Sequence, residues 1–138
     1  MGQTREVAER FFERFGTGDI DGAMECFAPD CISVTPAGAM NNARHHAAAE
    51  ALKHAFPDAR MELIRVLESK DEIYVTGKFK GTHRNDLATP LGTLPGSGKT
   101  LDLLFVDYFR VINGKIVECE AVRDRLEMIL QLGGIPPR

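Results

Sequence analysis

Residues 101–122 read LDLLFVDYFRVINGKIVECEAV, and the fold turns on how this stretch is read. Two apolar alternating runs flank Asn113-Gly114. That dipeptide suits a two-residue hairpin turn, because both central residues need positive φ. The pattern predicts antiparallel strands over 100–112 and 115–122. Alternate residues of the first strand share a face: Leu101, Leu103, Phe105, Asp107, Phe109 and Val111. Asp107 is the one polar side chain among them, and a buried carboxylate is costly without a partner or a task. On the return strand Val117, Cys119 and Ala121 form the inner face, with Glu118 and Glu120 outside. The opposite face of the first strand, Leu104, Val106 and Tyr108, is also apolar. A second apolar face in so small a domain implies contact with another subunit, and a homodimer or higher homo-oligomer is expected.

Working upstream, residues 72–82 alternate in the same way. Ile73, Val75, Gly77, Phe79 and Gly81 face inward and the face ends at His83, while Tyr74, Thr76, Lys78, Lys80 and Thr82 face solvent. Lys70-Asp71 turns the chain back to a strand over 60–68. Residues 84–99, RNDLATPLGTLPGSGK, read as a mobile lid between two strands. The N-terminal half is helical. Val7, Phe11, Phe12 and Phe15 form one stripe, and Gly16 and Gly18 stop that helix. Asp19 caps a short helix carrying Ile20, Ala23, Met24 and Phe27. A strand over 31–35 follows, then a helix over 43–55 capped by Asn41 or Asn42 and broken by Pro57-Asp58. A last helix, 124–132, ends at Gly133-Gly134 and Pro136-Pro137. Three helices, an antiparallel meander and a closing helix make one α+β domain over residues 1–138.

Composition excludes several classes of function. The 138-residue chain has 17 basic and 20 acidic side chains, interspersed, for a net charge of −3. No basic field favours nucleic acid or an anionic membrane. Tryptophan is absent, which further disfavours base stacking. The three cysteines, Cys26, Cys31 and Cys119, lack metal-ligand spacing and read as reduced core residues. No run approaches the ~18 apolar residues of a membrane span. The N-terminus has a charged amphipathic pattern rather than that of a signal peptide, so a soluble cytoplasmic protein is expected. PGSGKT at residues 95–100 imitates a phosphate loop, but Thr93 stands where the pattern needs glycine and a strand follows instead of a helix.

Several residues are candidates for chemistry. Asp107 and His83 stand on otherwise apolar faces, which marks a pocket with acid/base groups. Structurally, Asp107 would instead pair with Arg44 or Arg84. Asp124 opens the final helix, so it is a helix cap, a pocket carboxylate, or both. Cys119 as a nucleophile would need a basic neighbour, for which His83 is the candidate. His45 and His46 are adjacent on a helix and cannot form a two-histidine clamp. His46 is placed at the pocket wall with Phe15, Phe79, Phe105, Phe109 and Cys119.

The phrases FGTGDIDGAMECFAPD, FPDARMEL, DEIYVTGKFKGTH, VDYFRVINGKIVE and VRDRLEMILQLG, in this order, span most of the chain. Together they resemble the SnoaL-like polyketide cyclase (ester cyclase) family of the NTF2-like superfamily. The resemblance implies a cone: a curved antiparallel sheet packed around three to four helices, enclosing an apolar pocket. It also implies dimers through the outer sheet face. The implied reaction is intramolecular aldol ring closure of a small hydrophobic, polyketide-like substrate, with neither metal nor cofactor. The family's general acid/base aspartate matches Asp124, and a pocket histidine falls where this chain has Asp107. Many members carry histidine where this chain has Cys119, and His83 fits the GTH phrase. The expected catalytic set is therefore Asp124, Asp107 and His83. Water addition of the epoxide-hydrolase kind and non-catalytic binding of a small molecule are the alternatives on the same scaffold.

Overall fold

The computed structural model describes residues 3–134, so Met1, Gly2 and the Pro136-Pro137 stop lie outside it. The elements run α1 (Gln3–Gly16), α2 (Ile20–Met24), β1 (Phe27–Thr35), β2 (Gly38–Met40), α3 (Asn42–Ala55), β3 (Arg60–Ser69), β4 (Glu72–Thr82), β5 (Leu87–Thr89), β6 (Gly92–Leu94), β7 (Thr100–Ile112), β8 (Lys115–Arg123) and α4 (Arg125–Gln131). The hairpin at Asn113-Gly114 forms with φ of 51° and 76°. It sets β7 against β8 with Ile112 opposite Lys115 and Asp107 opposite Ala121. The register slips once: Arg110 faces Glu118, but Val111 faces Ile116. A bulge absorbs Val117. Ile116, rather than Val117, therefore takes the inner position and is fully buried.

Six strands form one curved sheet in the order β2-β1-β8-β7-β4-β3. The meander β3-β4-β7-β8 is antiparallel as expected, but β1 lies parallel to β8. The sheet is mixed because α3 and the whole meander separate β1 from β8 in sequence, and so long a crossover permits parallel pairing. Strand β1 also begins at Phe27, earlier than position 31, and runs through Pro29 with a register shift between Phe27 and Ile32.

Helices α1, α2 and α3 cover the concave face. The stripe of α1 is buried from Val7 to Phe15. The Phe11 ring meets Phe27 and Phe109 edge-on, each at 5.3 Å between centroids. These contacts fix α1 across the middle of the sheet through apolar area and ring geometry. Asn41 is the cap of α3, its side chain accepting from the Arg44 N–H at 2.9 Å. Gly77 lies opposite Phe105. A Cβ there would come within 2.6 Å of the Phe105 ring, so glycine lets that ring lie flat on β4.

The segment 84–99, expected to be a mobile lid, contains a small hairpin. Strands β5 and β6 pair from Leu87–Leu94 to Thr89–Gly92, and Leu87 is buried in the core. The Arg84 N–H donates to Ala55 O at 2.9 Å, and Asn85 Nδ2 donates to His54 O at 2.8 Å. The segment is thereby docked on the end of α3. A strand, β7, follows Pro95–Lys99, as the failed phosphate-loop pattern requires.

Candidate active site

The polar groups of the concave face gather where β1, β8 and α3 meet. Ser33 and Cys119 are neighbours across the β1–β8 pair, and Ala121 and Arg123 follow on the same face of β8. With Phe15, Leu52 and His45, residues Ser33, Ala121 and Arg123 enclose a chamber of about 90 Å³. Asp107 lies one side chain behind that lining. It is 2% exposed, and its Oδ1 is 3.7 Å from Arg123 Nη1. That distance exceeds a hydrogen bond. Asp107 Oδ1 and Arg123 Nε are both buried without a hydrogen-bond partner among the described residues. The partner of Asp107 is thus Arg123, not Arg44 or Arg84. The Arg123 guanidinium also lies over the Phe105 ring at 5.5 Å.

The electrostatics follow from this geometry. Burial pushes the Asp107 carboxyl up to about 6, and Arg123 pulls it only part of the way back. Burial likewise pushes the His45 imidazole down to about 4, with the Arg123 charge acting in the same direction. His45 is therefore neutral at pH 7. Its Nδ1 is 3.1 Å from Ser33 Oγ, and its ring packs on Phe27 at 5.1 Å. Burial and the nearby Asp107 push the Cys119 thiol up to about 12. Cys119 is consequently a protonated core residue and not an activated nucleophile.

The expected trio of Asp107, His83 and Asp124 does not converge. Asp107 pairs with Val75, and His83 lies eight positions further along β4. At ~3.3 Å per residue the two are separated by roughly 26 Å of strand. His83 is fully buried, stacked on Phe56 at 5.5 Å, with Nδ1 2.9 Å from Ser97 Oγ. Its backbone holds both ends of the lower loop: the His83 N–H donates to Lys99 O, and His83 O accepts from Gly98. It is a latch for the segment 84–99. Asp124 is exposed. It caps α4, with Oδ1 accepting from the Glu127 N–H at 3.0 Å. It belongs to an open groove on the outer sheet face with Leu104, Val106 and Val122.

The expected pocket wall is partly corrected. Phe15 borders the 90 Å³ chamber and a second chamber of about 250 Å³. Phe79 and Phe56 line only the second. Phe105 and Phe109 are sealed core rings at 0% and 1% exposure. Cys119 is buried beneath the polar chamber. His46 points away from it, with Nε2 2.7 Å from Asp21 and 3.8 Å from Glu50. Those three residues bring their ligating atoms within 4.8 Å of one another at the surface, and ordinary exposed ion pairs account for the arrangement.

Sequence reasoning did not place Arg123 or His45 among the site residues, although both carried a signal. Continuing the alternation Cys119, Ala121 by two residues reaches Arg123, so Asp124 must face the other way. On α3, His45 shares the i, i+4, i+7 stripe of Ala49 and Leu52, both packed toward the core, whereas His46 lies about 100° round the helix.

Comparison with known proteins fits this architecture. Residues 6–132 match the model of the family described as SnoaL-like polyketide cyclase. No curated protein sequence matches the chain. Among solved structures, AclR of Streptomyces galilaeus, described as a candidate hydroxylase, superposes with a TM-score of 0.86 at 20% identity, over 99% of each chain. A SnoaL-like protein of Jannaschia sp. CCS1, described as a candidate polyketide cyclase, gives 0.83 at 21% identity, over 97% of this chain and 94% of its own. IdmH of Streptomyces antibioticus, described in the same way, gives 0.81 at 21%, over 95% of this chain and 99% of its own. At these identities the likeness is one of fold, and that fold carries both a hydroxylase and a cyclase description. No helix among the described residues is long and apolar enough to cross a membrane.

Proposed function

The chain belongs to the SnoaL-like polyketide cyclase family, and from that premise we propose that it catalyses ring closure of a small enolisable carbonyl compound, with Asp107 as the proton carrier. One observation carries this reading. A carboxylate with a free oxygen lies buried directly behind a cavity, with its pKa held at about 6. A group poised near neutrality serves in turn as base and acid. Asp107 takes the α-proton, the carbanion attacks a second carbonyl of the same molecule, and the returned proton neutralises the new alkoxide. His45 and Ser33 supply neutral hydrogen-bonding groups where a carbonyl oxygen would rest. Arg123 offsets part of the cost of an ionised Asp107.

The chamber sets a limit on what enters. About 90 Å³ holds the equivalent of roughly three waters at ~30 Å³ each. Only the reacting end of a ring-forming substrate fits. The remainder extends past Phe15 and Leu52 toward the second chamber, which shares both residues as lining. Water addition through a carboxylate–arginine–carboxylate set is less well supported, because Asp124, its second carboxylate, caps a helix on the other face.

The test needs no knowledge of the natural substrate. A panel of cyclic and linear 1,3-diketones in deuterated buffer is followed by proton NMR for exchange at the α-carbon. Wild-type protein is expected to accelerate exchange, and Asp107→Asn to lose ~10²–10⁴-fold of that acceleration. A folded Asn variant with undiminished exchange would reduce Asp107 to a counter-ion for Arg123 and leave a binding protein.

A further inference from the structure

Arg123 faces the chamber that Asp107 only backs. It bears the one formal charge on the lining, since His45 is neutral and every other lining group is apolar or hydroxylic. Its Nε–H has no acceptor, and its nearest carboxylate is beyond hydrogen-bond range. The guanidinium carbon lies over the Phe105 ring, 5.5 Å from its centroid. A guanidinium that lines a cavity, with its nearest carboxylate beyond hydrogen-bond range, suits a planar anion.

We infer that the substrate presents a carboxylate, or an equally acidic enol, to Arg123, and that it enters together with one proton that lodges on Asp107. This inference rests on the proposed function for the site and adds the charge class of the substrate. The reason is electrostatic. Two anions would share one guanidinium, one of them the desolvated Asp107, and two like charges that close do not both stay ionised. Asp107 is the more deeply buried of the two, so it takes the proton from solvent. The groups facing it from the neighbouring elements do not compete: Cys119 on β8 is a protonated thiol, and His45 on α3 is neutral. The Michaelis complex then has a neutral Asp107 beside a paired Arg123; Asp107 returns that proton to solvent before it takes the α-proton in its place.

Acetoacetate and its neutral methyl ester serve as probes, by calorimetric titration at pH 7 in two buffers of different ionisation enthalpy. The acid is expected to bind at least tenfold more tightly than the ester, with proton uptake approaching one per acid bound. Arg123→Gln should remove that preference and Arg123→Lys should keep part of it. Asp107→Asn should keep acid binding and abolish the proton uptake. Equal binding of acid and ester to wild-type protein, or no binding of the acid at ten millimolar, overturns the inference whatever the variants do. If Asp107→Asn abolishes α-proton exchange while acid and ester bind alike, the catalytic reading survives and this one fails. If the acid binds through Arg123 while exchange is unchanged in Asp107→Asn, the reverse holds.

Discussion

Asp107 and His45 both feel the charge of Arg123 and are shifted in opposite directions by burial, the carboxyl up to about 6 and the imidazole down to about 4. Each is driven toward its neutral form. The pair places two titrations of opposite sign in one window of pH.

Their effects on stability oppose each other. Between about pH 4 and 6 the native state holds more protons on Asp107 than the unfolded chain does, so that residue makes stability fall as pH rises. The native state holds fewer protons on His45 than the unfolded chain, so that residue makes stability rise with pH up to about 6.5. In wild-type protein the two slopes largely cancel. Asp107→Asn should leave the rising slope alone, and the variant should gain on wild type by about 3 kcal/mol between pH 4 and pH 7, the worth of roughly two pKa units. Urea melts of both proteins at several pH values check this. A constant difference across that range would show that Asp107 titrates normally.

His83 latches the 84–99 segment through Ser97, Lys99 and Gly98, far from Asp107 along the strand. His83→Ala removes a fully buried ring packed on Phe56 and should cost about 2–4 kcal/mol, as truncation of a buried side chain does. Amide exchange should quicken in β5 and β6 first. Acceleration of α-proton exchange should persist wherever the variant remains folded. Loss of that acceleration with stability intact would return His83 to the site.

The hairpin, the helical stripe of α1 and the order of the longer elements were legible in the sequence, because each rests on local periodicity or turn chemistry; the short strands β2, β5 and β6 were not. Asp107 was legible for the same reason. The convergence of the site was not. Asp107 and His83 were grouped because both stand on an otherwise apolar inward face, but sharing a face says nothing about distance along it. Asp124 was grouped with them although its parity opposed that of Ala121. The parallel docking of β1, which brings Ser33 to Cys119, joins residues some eighty positions apart and leaves no local mark.

Phe15 and Leu52 form the wall shared by the two chambers. Leu52→Ala should open one chamber into the other, at a stability cost of about 1–3 kcal/mol for a partly buried leucine. Bicyclic diketones that wild-type protein binds poorly should then bind at least tenfold better, with small diketones little changed. NMR line-broadening titrations measure both. Unchanged selectivity would mean that the wall does not set substrate size.

The outer sheet face exposes Ile32, Val34, Leu104 and Val122, each about half accessible. We propose that a second copy of the chain covers it. Leu104→Glu places a charge in that patch without touching the core, so light scattering should show dimeric wild-type protein and a folded monomeric variant at micromolar concentration. A monomeric wild type leaves the face without this role.

The sharpest contrast is between the two aspartates. Asp124 is exposed, and its side chain serves one N–H, that of Glu127. Asparagine caps a helix about as well as aspartate does, whereas alanine costs ~1 kcal/mol. Asp124→Asn should therefore match wild type in stability and in α-proton exchange. Asp124→Ala should be less stable by about that cap energy, with exchange per folded molecule unchanged. Asp107→Asn should show the inverse pattern: folding retained and, at pH 7, strengthened, with exchange lost. Asp124 stands at the surface as a helix cap, while the carboxylate behind Arg123 is desolvated and its pKa is pushed up to about 6. If Asp124→Asn loses ~10²-fold or more of exchange, as removal of a proton-transfer group does, the chemistry belongs to the outer groove and the inner chamber is only a cavity.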